Sequence, residues 1–190
     1  MEIENIINGF DGLWNSWETI VKEKSYPIYA IFLCTDIDKA AIEYIDQYWQ
    51  DLNELSAKDC LIFIFKKHVQ RTLNSYDIDK LYDVTFIFSQ KTMAYEAYQV
   101  ARLLNVNYSD IPCLVFFESL DSRDIGIYSL KNMSKDEIAF ELRSLFDRIR
   151  ENHSFEDLKI YLKRRKITLK VINIGSKVLT ILEKLKAFKL

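Results

Sequence analysis

The chain has 190 residues, of which 49% are apolar and 28% are charged, and its formal net charge is −2. This composition is typical of a globular protein and excludes an intrinsically disordered chain. The four glycines form neither a GxGxxG nor a P-loop run, which excludes the common glycine-rich phosphate loops. Three cysteines without CxxC spacing argue against a disulfide framework and a zinc site.

The N-terminal stretch "MEIENIINGF" lacks a basic region followed by an apolar core, so no signal peptide is predicted. No stretch contains the roughly 18 uncharged apolar residues that a membrane-spanning helix needs. We therefore expect a cytoplasmic protein. Apolar residues at helical spacing over 3–21 predict an N-terminal helix within the segment 1–25. This segment is expected to dock on the body of the protein through Trp14 and Trp17.

Two short apolar runs, "PIYAIFLC" at 27–34 and "CLIFIF" at 60–65, predict buried strands. Between them the pattern predicts a helix over 36–57. The hydroxyl of Thr35 is expected to cap this helix, and the carboxylate of Asp38 favours its positive end.

The alternation of strands and helices continues downstream. Further strands are predicted at 84–88, 112–118 and 124–130, and further helices at 91–104 and after a capping box formed by Ser134 and Glu137. Helices that alternate with short apolar strands predict an α/β domain over 26–153, with a sheet covered on both faces.

The segment 154–190 differs in charge from the rest of the chain. It carries ten Lys or Arg and three Asp or Glu, a net charge of +7, whereas the preceding 153 residues carry −9. Ser154 and Asp157 mark a helix start. Beyond them, a repeat with alternating spacings of four and three predicts a heptad-like helical seam, which Gly175 is expected to break or kink before 177–187. The positions of the repeat are Leu158, Leu162, Arg165, Leu169 and Ile172.

The sequence "VARLLNVNYSDIPCLVFFES", followed by "DIGIYSLKNMSKDEIAFELRSLF", resembles the C-terminal half of the thioredoxin fold. In that family a helix and a loop ending in Ile-Pro precede two antiparallel strands and a final helix. The resemblance implies a cis peptide bond between Ile111 and Pro112. Upstream, "YAIFLC" resembles the strand before the thioredoxin active site, so that the likeness spans about 27–150. It implies a mixed sheet flanked by helices, and the regular strand spacing leaves a doubly wound parallel sheet as the alternative.

The CxxC redox motif of that family is absent. Its place after "YAIFLC" holds "TDIDKAA", and no cysteine occurs from Thr35 to Asp59. Disulfide exchange needs a thiolate stabilised near a helix N-terminus, where Asp36 and Asp38 would repel it. The sequence therefore argues against an oxidoreductase. Cys113, next to the proline, remains a candidate reactive thiol, with a buried strand cysteine as the alternative.

The tetrapeptide "DIDK" occurs twice, at 36–39 and 77–80. Its carboxylates would ligate Mg²⁺ if the two loops met at one end of the sheet, and capping of helices and turns is the other role of such residues. The candidate ligands are Asp36, Asp38, Asp77 and Asp79. A metal-dependent enzyme is thus the third functional hypothesis. The residues form no complete catalytic constellation, and no cofactor is predicted.

The basic stretch "KIYLKRRKITLK" at 159–170 carries six cationic residues interleaved with apolar ones. Burial of the heptad-like seam favours a non-catalytic, thioredoxin-like scaffold or adaptor that binds a protein partner, or pairs with a second copy, through 154–187. The alternatives are nucleic acid, bound through its phosphates, and an anionic membrane surface. The predicted partner-binding residues are Leu158, Leu162, Lys163, Arg164, Arg165, Leu169 and Ile172.

Overall fold

A computed structural model describes residues 7–8, 26–56, 59–67, 84–89, 93–119, 121–152, 154–164, 169–178 and 180. The strands within these ranges are β1 (Ile7–Asn8), β2 (Ile28–Leu33), β3 (Cys60–Lys67), β4 (Val84–Ser89), β5 (Cys113–Phe117), β6 (Asp124–Ser129) and β7 (Leu169–Asn173). The helices are α1 (Lys39–Ser56), α2 (Met93–Leu103), α3 (Lys135–Asn152) and α4 (Phe155–Arg164). A short 3-10 helix, Tyr108–Asp110, precedes β5.

The described strands form one mixed sheet in the order β1-β4-β3-β2-β5-β6-β7. The neighbouring pairs β1-β4, β4-β3 and β3-β2 are parallel. The neighbouring pairs β2-β5, β5-β6 and β6-β7 are antiparallel. The predicted α/β class is therefore confirmed. The doubly wound parallel alternative is wrong, because the second half of the sheet consists of antiparallel neighbours.

The sheet is covered on both faces, which explains the continuous apolar runs of its central strands. On β2, Ile28, Ala30 and Phe32 belong to a cluster that includes buried residues of α1, α3 and α4. The alternate residues Tyr29 and Ile31 belong to a second cluster, with residues of α2 on the opposite face. A strand buried on both faces has no polar side, so its sequence lacks the usual alternation.

The loop before β5 is tied to the turn after β6. The Ile111–Pro112 peptide bond is cis. The carbonyl of Pro112 accepts a hydrogen bond from the N–H of Leu130 at 2.8 Å, and the hydroxyl of Ser129 donates to the carbonyl of Asp110 at 2.8 Å. Proline has no N–H to donate to a neighbouring strand. Because Pro112 lies just before β5, the hydrogen bonds of the sheet do not need that donor.

Two predicted helix starts are confirmed. The N–H of Glu137 donates to the hydroxyl of Ser134 at 3.3 Å, and the Glu137 carboxylate accepts from the N–H of Ser134 at 2.7 Å. These reciprocal bonds form the predicted capping box of α3. At the start of α4, the N–H of Asp157 donates to the Ser154 hydroxyl at 3.1 Å.

The N-terminal prediction of a helix is wrong where the structure describes it. Ile7 and Asn8 pair in parallel with Ile87 and Phe88 of β4 and so belong to the sheet. The other residues of 1–25, among them the tryptophans at 14 and 17, lie outside the described residues.

The C-terminal prediction of one long helical seam is also wrong. The helix ends at Arg164, and Leu169 and Ile172 lie on β7, which pairs with β6 in antiparallel register. Gly175 does not kink a helix. It follows β7 with a left-handed φ of 71°, a region open to glycine, and its N–H donates to the Asn173 side chain at 2.9 Å. Residues 169–173 of the predicted 154–190 helical extension therefore form a strand, not a helix.

Candidate protein-binding surface at one edge of the sheet

Three chain segments converge at the end of the sheet where β2 and β6 finish and β5 begins. Leu33, the last residue of β2, pairs with Cys113, the first residue of β5, and Cys113 also pairs with Ser129 at the end of β6. Because β5 is antiparallel to both neighbours, its start lies beside their carboxyl ends. The surface formed by residues 34–38, 104–112 and 130–134 is called the proline edge below.

A compact turn joins β2 to α1 at the proline edge. The N–H and the hydroxyl of Thr35 each donate to the Asp38 carboxylate at 2.7 Å, and the N–H of Asp38 donates to the Thr35 carbonyl at 3.0 Å. The predicted capping role of the Thr35 hydroxyl is therefore wrong, since this group donates a bond and Asp38 directly precedes α1. The closed turn directs the side chain of Ile37 outward, where it is 79% exposed.

A second apolar side chain is exposed on the loop before β5. Tyr108 is 50% exposed, and its ring contacts that of Tyr98 on α2 edge to face, with the centroids 4.9 Å apart. The Asn107 side chain accepts from the N–H of Ser109 at 2.9 Å and caps the 3-10 helix. Neither Ile37 nor Tyr108 is among the contact residues that the sequence predicts. The sequence feature that could have indicated the exposure of Ile37 is its position between Asp36 and Asp38 in a short strand–helix connection.

The thiols near this edge are buried. Burial raises the pKa of Cys34 to about 12, and the nearby carboxylates of Asp38, Asp36 and Asp46 raise it further. Burial, followed by the charge of Asp110, also raises the pKa of Cys113. The idea of a reactive thiol at Cys113 is therefore wrong, since a thiol that stays protonated and enclosed is a poor nucleophile. Cys60, the remaining cysteine of the chain, is buried as well.

The predicted acidic metal site is not assembled by the described residues. Asp36 is exposed, and the carboxylate of Asp38 is engaged by Thr35. Asp77 and Asp79 lie outside the described ranges. Among the residues that are described, no group of three or more His, Cys, Asp or Glu side chains is placed to hold a metal ion.

Two of the predicted partner-binding residues of the C-terminal segment, Leu158 and Ile172, lie on opposite faces of the sheet. Leu158 is only 2% exposed and belongs to the core cluster of α1 and α3, so its prediction as a contact residue is wrong. Ile172 packs against the cluster on the opposite face of the sheet. Lys163 is exposed on α4. Leu162 and Arg164 are also placed on α4, Leu169 is placed on β7, and Arg165 lies outside the described residues.

A surface cleft between α1 and α3, with a volume of about 300 Å³, is lined by charged residues. Its two arginines have partners within the chain. Arg143 lies 3.9 Å from the Asp51 carboxylate, and Arg150 donates to the Leu55 carbonyl at 3.2 Å. These contacts link the two helices, and we assign the cleft a structural role.

None of the described helices combines the length and apolar character needed to cross a membrane. Comparisons with models of protein families, with curated proteins and with solved structures found no match.

Proposed function

We propose that the chain is a non-catalytic, thioredoxin-like adaptor that binds a polypeptide partner at the proline edge. The observation that carries the proposal is the exposure of Ile37. In a thioredoxin the turn after the corresponding strand holds the redox cysteines. Here it presents an exposed apolar side chain, while all three cysteines of the chain are buried.

The order of elements supports the thioredoxin-like part of the proposal. β3 and β2 are parallel, and β5 and β6 follow in antiparallel order, with α1 after β2, α2 before β5 and α3 after β6. A proline directly precedes β5, as the sequence resemblance implies. β4, which lies between β1 and β3, is an additional strand in this comparison.

The composition of the proline edge supports a polypeptide partner. Full burial of a side chain such as Ile37 contributes about 1.5–3 kcal/mol, so exposed apolar groups gain from a partner that covers them. Exposed polar residues flank them in the sequence, with Asp36 next to Ile37 and with Asn107 and Ser109 on either side of Tyr108. Apolar anchors inside a polar rim are the usual anatomy of a protein–protein interface.

Differential capture tests this function. Wild type, an Ile37→Ser/Tyr108→Ser double variant and a Phe140→Ser control are immobilised, and the captured proteins are quantified by mass spectrometry. Phe140 is a matched control, because it is 66% exposed and lies on α3, not at the proline edge. We expect specific partners to be lost by the double variant and kept by the control.

Two results would contradict the proposal. One is an identical set of captured proteins for the wild type and the double variant, with both variants unfolding at the wild-type urea concentration. The other is measurable turnover of a dithiol substrate by the wild type, which would place thiol chemistry in the chain after all.

A further inference from the structure

We infer that β7 is a self-association edge, through which two copies of this chain pair in antiparallel orientation to form one continuous sheet. This inference concerns the edge of the sheet beyond β6 and does not depend on partner binding at the proline edge. β7 is the last strand in the sheet order, and no described strand pairs with its outer side.

The register of β7 fixes which backbone groups point outward. The N–H of Ile174 donates to the carbonyl of Arg123 at 2.8 Å, and the register continues with Asp124 opposite Asn173. Hydrogen-bonded and non-hydrogen-bonded pairs alternate along an antiparallel ladder. Ile172 therefore faces β6 with its N–H and C=O, whereas the backbone groups of Leu169, Val171 and Asn173 point to the open side.

These outward positions are symmetric about Val171. A two-fold axis through Val171 places Val171 opposite its own copy and Leu169 opposite Asn173 of the other chain. Each such pair can exchange two backbone hydrogen bonds, because all of its groups point outward. A closed, self-complementary contact of this type gives a dimer in which the β7 edges of both copies are occupied.

The exposure of the Val171 side chain is consistent with a two-fold axis at this residue. Val171 is 47% exposed, although β-branched apolar residues on a strand are stabilised by cross-strand neighbours. In the dimer this side chain packs against Val171 of the second copy. The pairing thus buries an apolar side chain that the single chain leaves half in water.

Sedimentation of the full chain over a range of concentrations tests the inference. We expect a concentration-dependent monomer–dimer equilibrium for the wild type. In Val171→Lys the dissociation constant should rise at least about tenfold, because like charges then lie directly across the new strand pair. Phe140→Lys replaces another exposed apolar residue and should leave the constant unchanged. A wild type that is monomeric throughout the range, or equal constants for the two variants, overturns the inference.

Cross-linking tests the register. Hydrogen-bonded residues that oppose each other have Cα atoms about 5.5 Å apart, a distance that a disulfide spans. Val171→Cys should therefore form a covalent dimer under mild oxidation, and Phe140→Cys should not. The three native thiols are buried and contribute no background.

Hydrogen exchange separates pairing with a second copy from coverage by the chain's own segments. The amides of Val171 and Asn173 should exchange rapidly in dilute, monomeric protein and slowly in concentrated protein. If these amides are equally protected in the dilute monomer, the edge is covered within one chain, and the inference is wrong.

Discussion

The thiol of Cys34 lies one residue beyond Leu33, which pairs with Cys113 across β2 and β5. Both cysteines are therefore near the proline edge, yet both belong to the core clusters on the sheet faces. Their burial explains why they cannot take over the role of an absent CxxC motif, because a nucleophilic thiol must be both ionised and accessible.

We expect the three native thiols to react with a thiol reagent only slowly in the folded protein. All three are buried, so labelling requires opening of the structure. In denaturant the same thiols should react at the rate of a free cysteine. A Ser109→Cys variant, with its new thiol on an exposed residue, serves as the positive control. Rapid labelling of Cys113 in the native wild type would contradict its assignment to the core.

The raised pKa of Cys34 predicts a loss of stability in alkaline solution. In the fold this pKa is about 12, compared with 9.0 for the free group, so the unfolded chain releases the thiol proton at lower pH. The stabilising contribution is complete below pH 9.0 and is lost as the pH rises through the folded pKa. Urea unfolding measured at increasing pH should show a steeper decline for the wild type than for Cys34→Ala. Equal pH dependence of stability in the wild type and in Cys34→Ala would contradict the assignment of this loss of stability to the Cys34 thiol.

Individual residues differ in how well the sequence predicts their role. The burial of the cysteines follows from the apolar runs around them. The exposure of Ile37 does not, because it depends on the turn in which Thr35 donates two bonds to Asp38. A threonine three residues before an aspartate fits several turn geometries equally well, and only the fold selects one of them.

At the scale of elements, α4 is part of the domain body. Phe155 and Leu158 on its inner face are buried in the cluster shared with α1 and α3. The outer face carries Lys163 and the exposed Ile160. Lys163 therefore lies on the solvent side of an ordinary amphipathic helix.

Truncation of Leu158 should destabilise the whole domain. We expect Leu158→Ala to lower the free energy of unfolding by about 2–5 kcal/mol, the usual cost of deleting a buried leucine side chain. Ile160→Ala, on the exposed face of the same helix, should change it by less than about 0.5 kcal/mol. Urea unfolding followed by circular dichroism measures both. Equal effects of the two changes would contradict the packing of α4 described above.

The strand β7 shows why one element was misassigned from sequence. A repeat with spacings of four and three runs from α4 to β7, and such spacing is typical of a helix. Its positions are Leu158, Leu162, Arg165, Leu169 and Ile172. The same stretch also alternates apolar and polar residues at Leu169, Lys170 and Val171, with β-branched neighbours. The helical spacing and the two-residue alternation of a strand overlap here. Pairing with β6 makes this stretch a strand.

At the scale of the whole molecule, the acidic and basic parts of the chain belong to one sheet. The described residues after β7 are bound to the β5–β6 connection. The N–H of Val178 donates to the carbonyl of Ser122 at 3.0 Å, and the Lys177 ammonium lies 2.7 Å from the Asp121 carboxylate. The charge boundary near residue 153 is therefore not a boundary between independent structural units.

Deletion of residues 154–190 should yield an aggregated or unfolded protein. The deletion removes β7 and exposes both the edge of β6 and the apolar residues beneath α4. A deletable appendage would instead leave a folded domain. Soluble yield and circular dichroism of the shortened chain distinguish the two outcomes, with Val171→Lys in the full chain as a control for loss of pairing alone.

The sequence predicts the class of the fold better than its arrangement. Strands β2, β3 and β5 coincide with apolar runs of the sequence, because burial on both faces demands such runs. The position of β4 between β1 and β3 depends on contacts between residues far apart in the chain, which local patterns do not encode. The change of net charge near residue 153 does not mark a structural boundary for the same reason, because β7 pairs with β6 across it.

The central position of β2 has a consequence for synthesis of the protein on the ribosome. β2 pairs with β5 on one side, and residues 34–112 separate the two strands in the chain. The nascent chain emerges at about 5–20 residues per second, so β2 waits several seconds for this neighbour. During that interval its unpaired apolar edge is exposed and prone to aggregation.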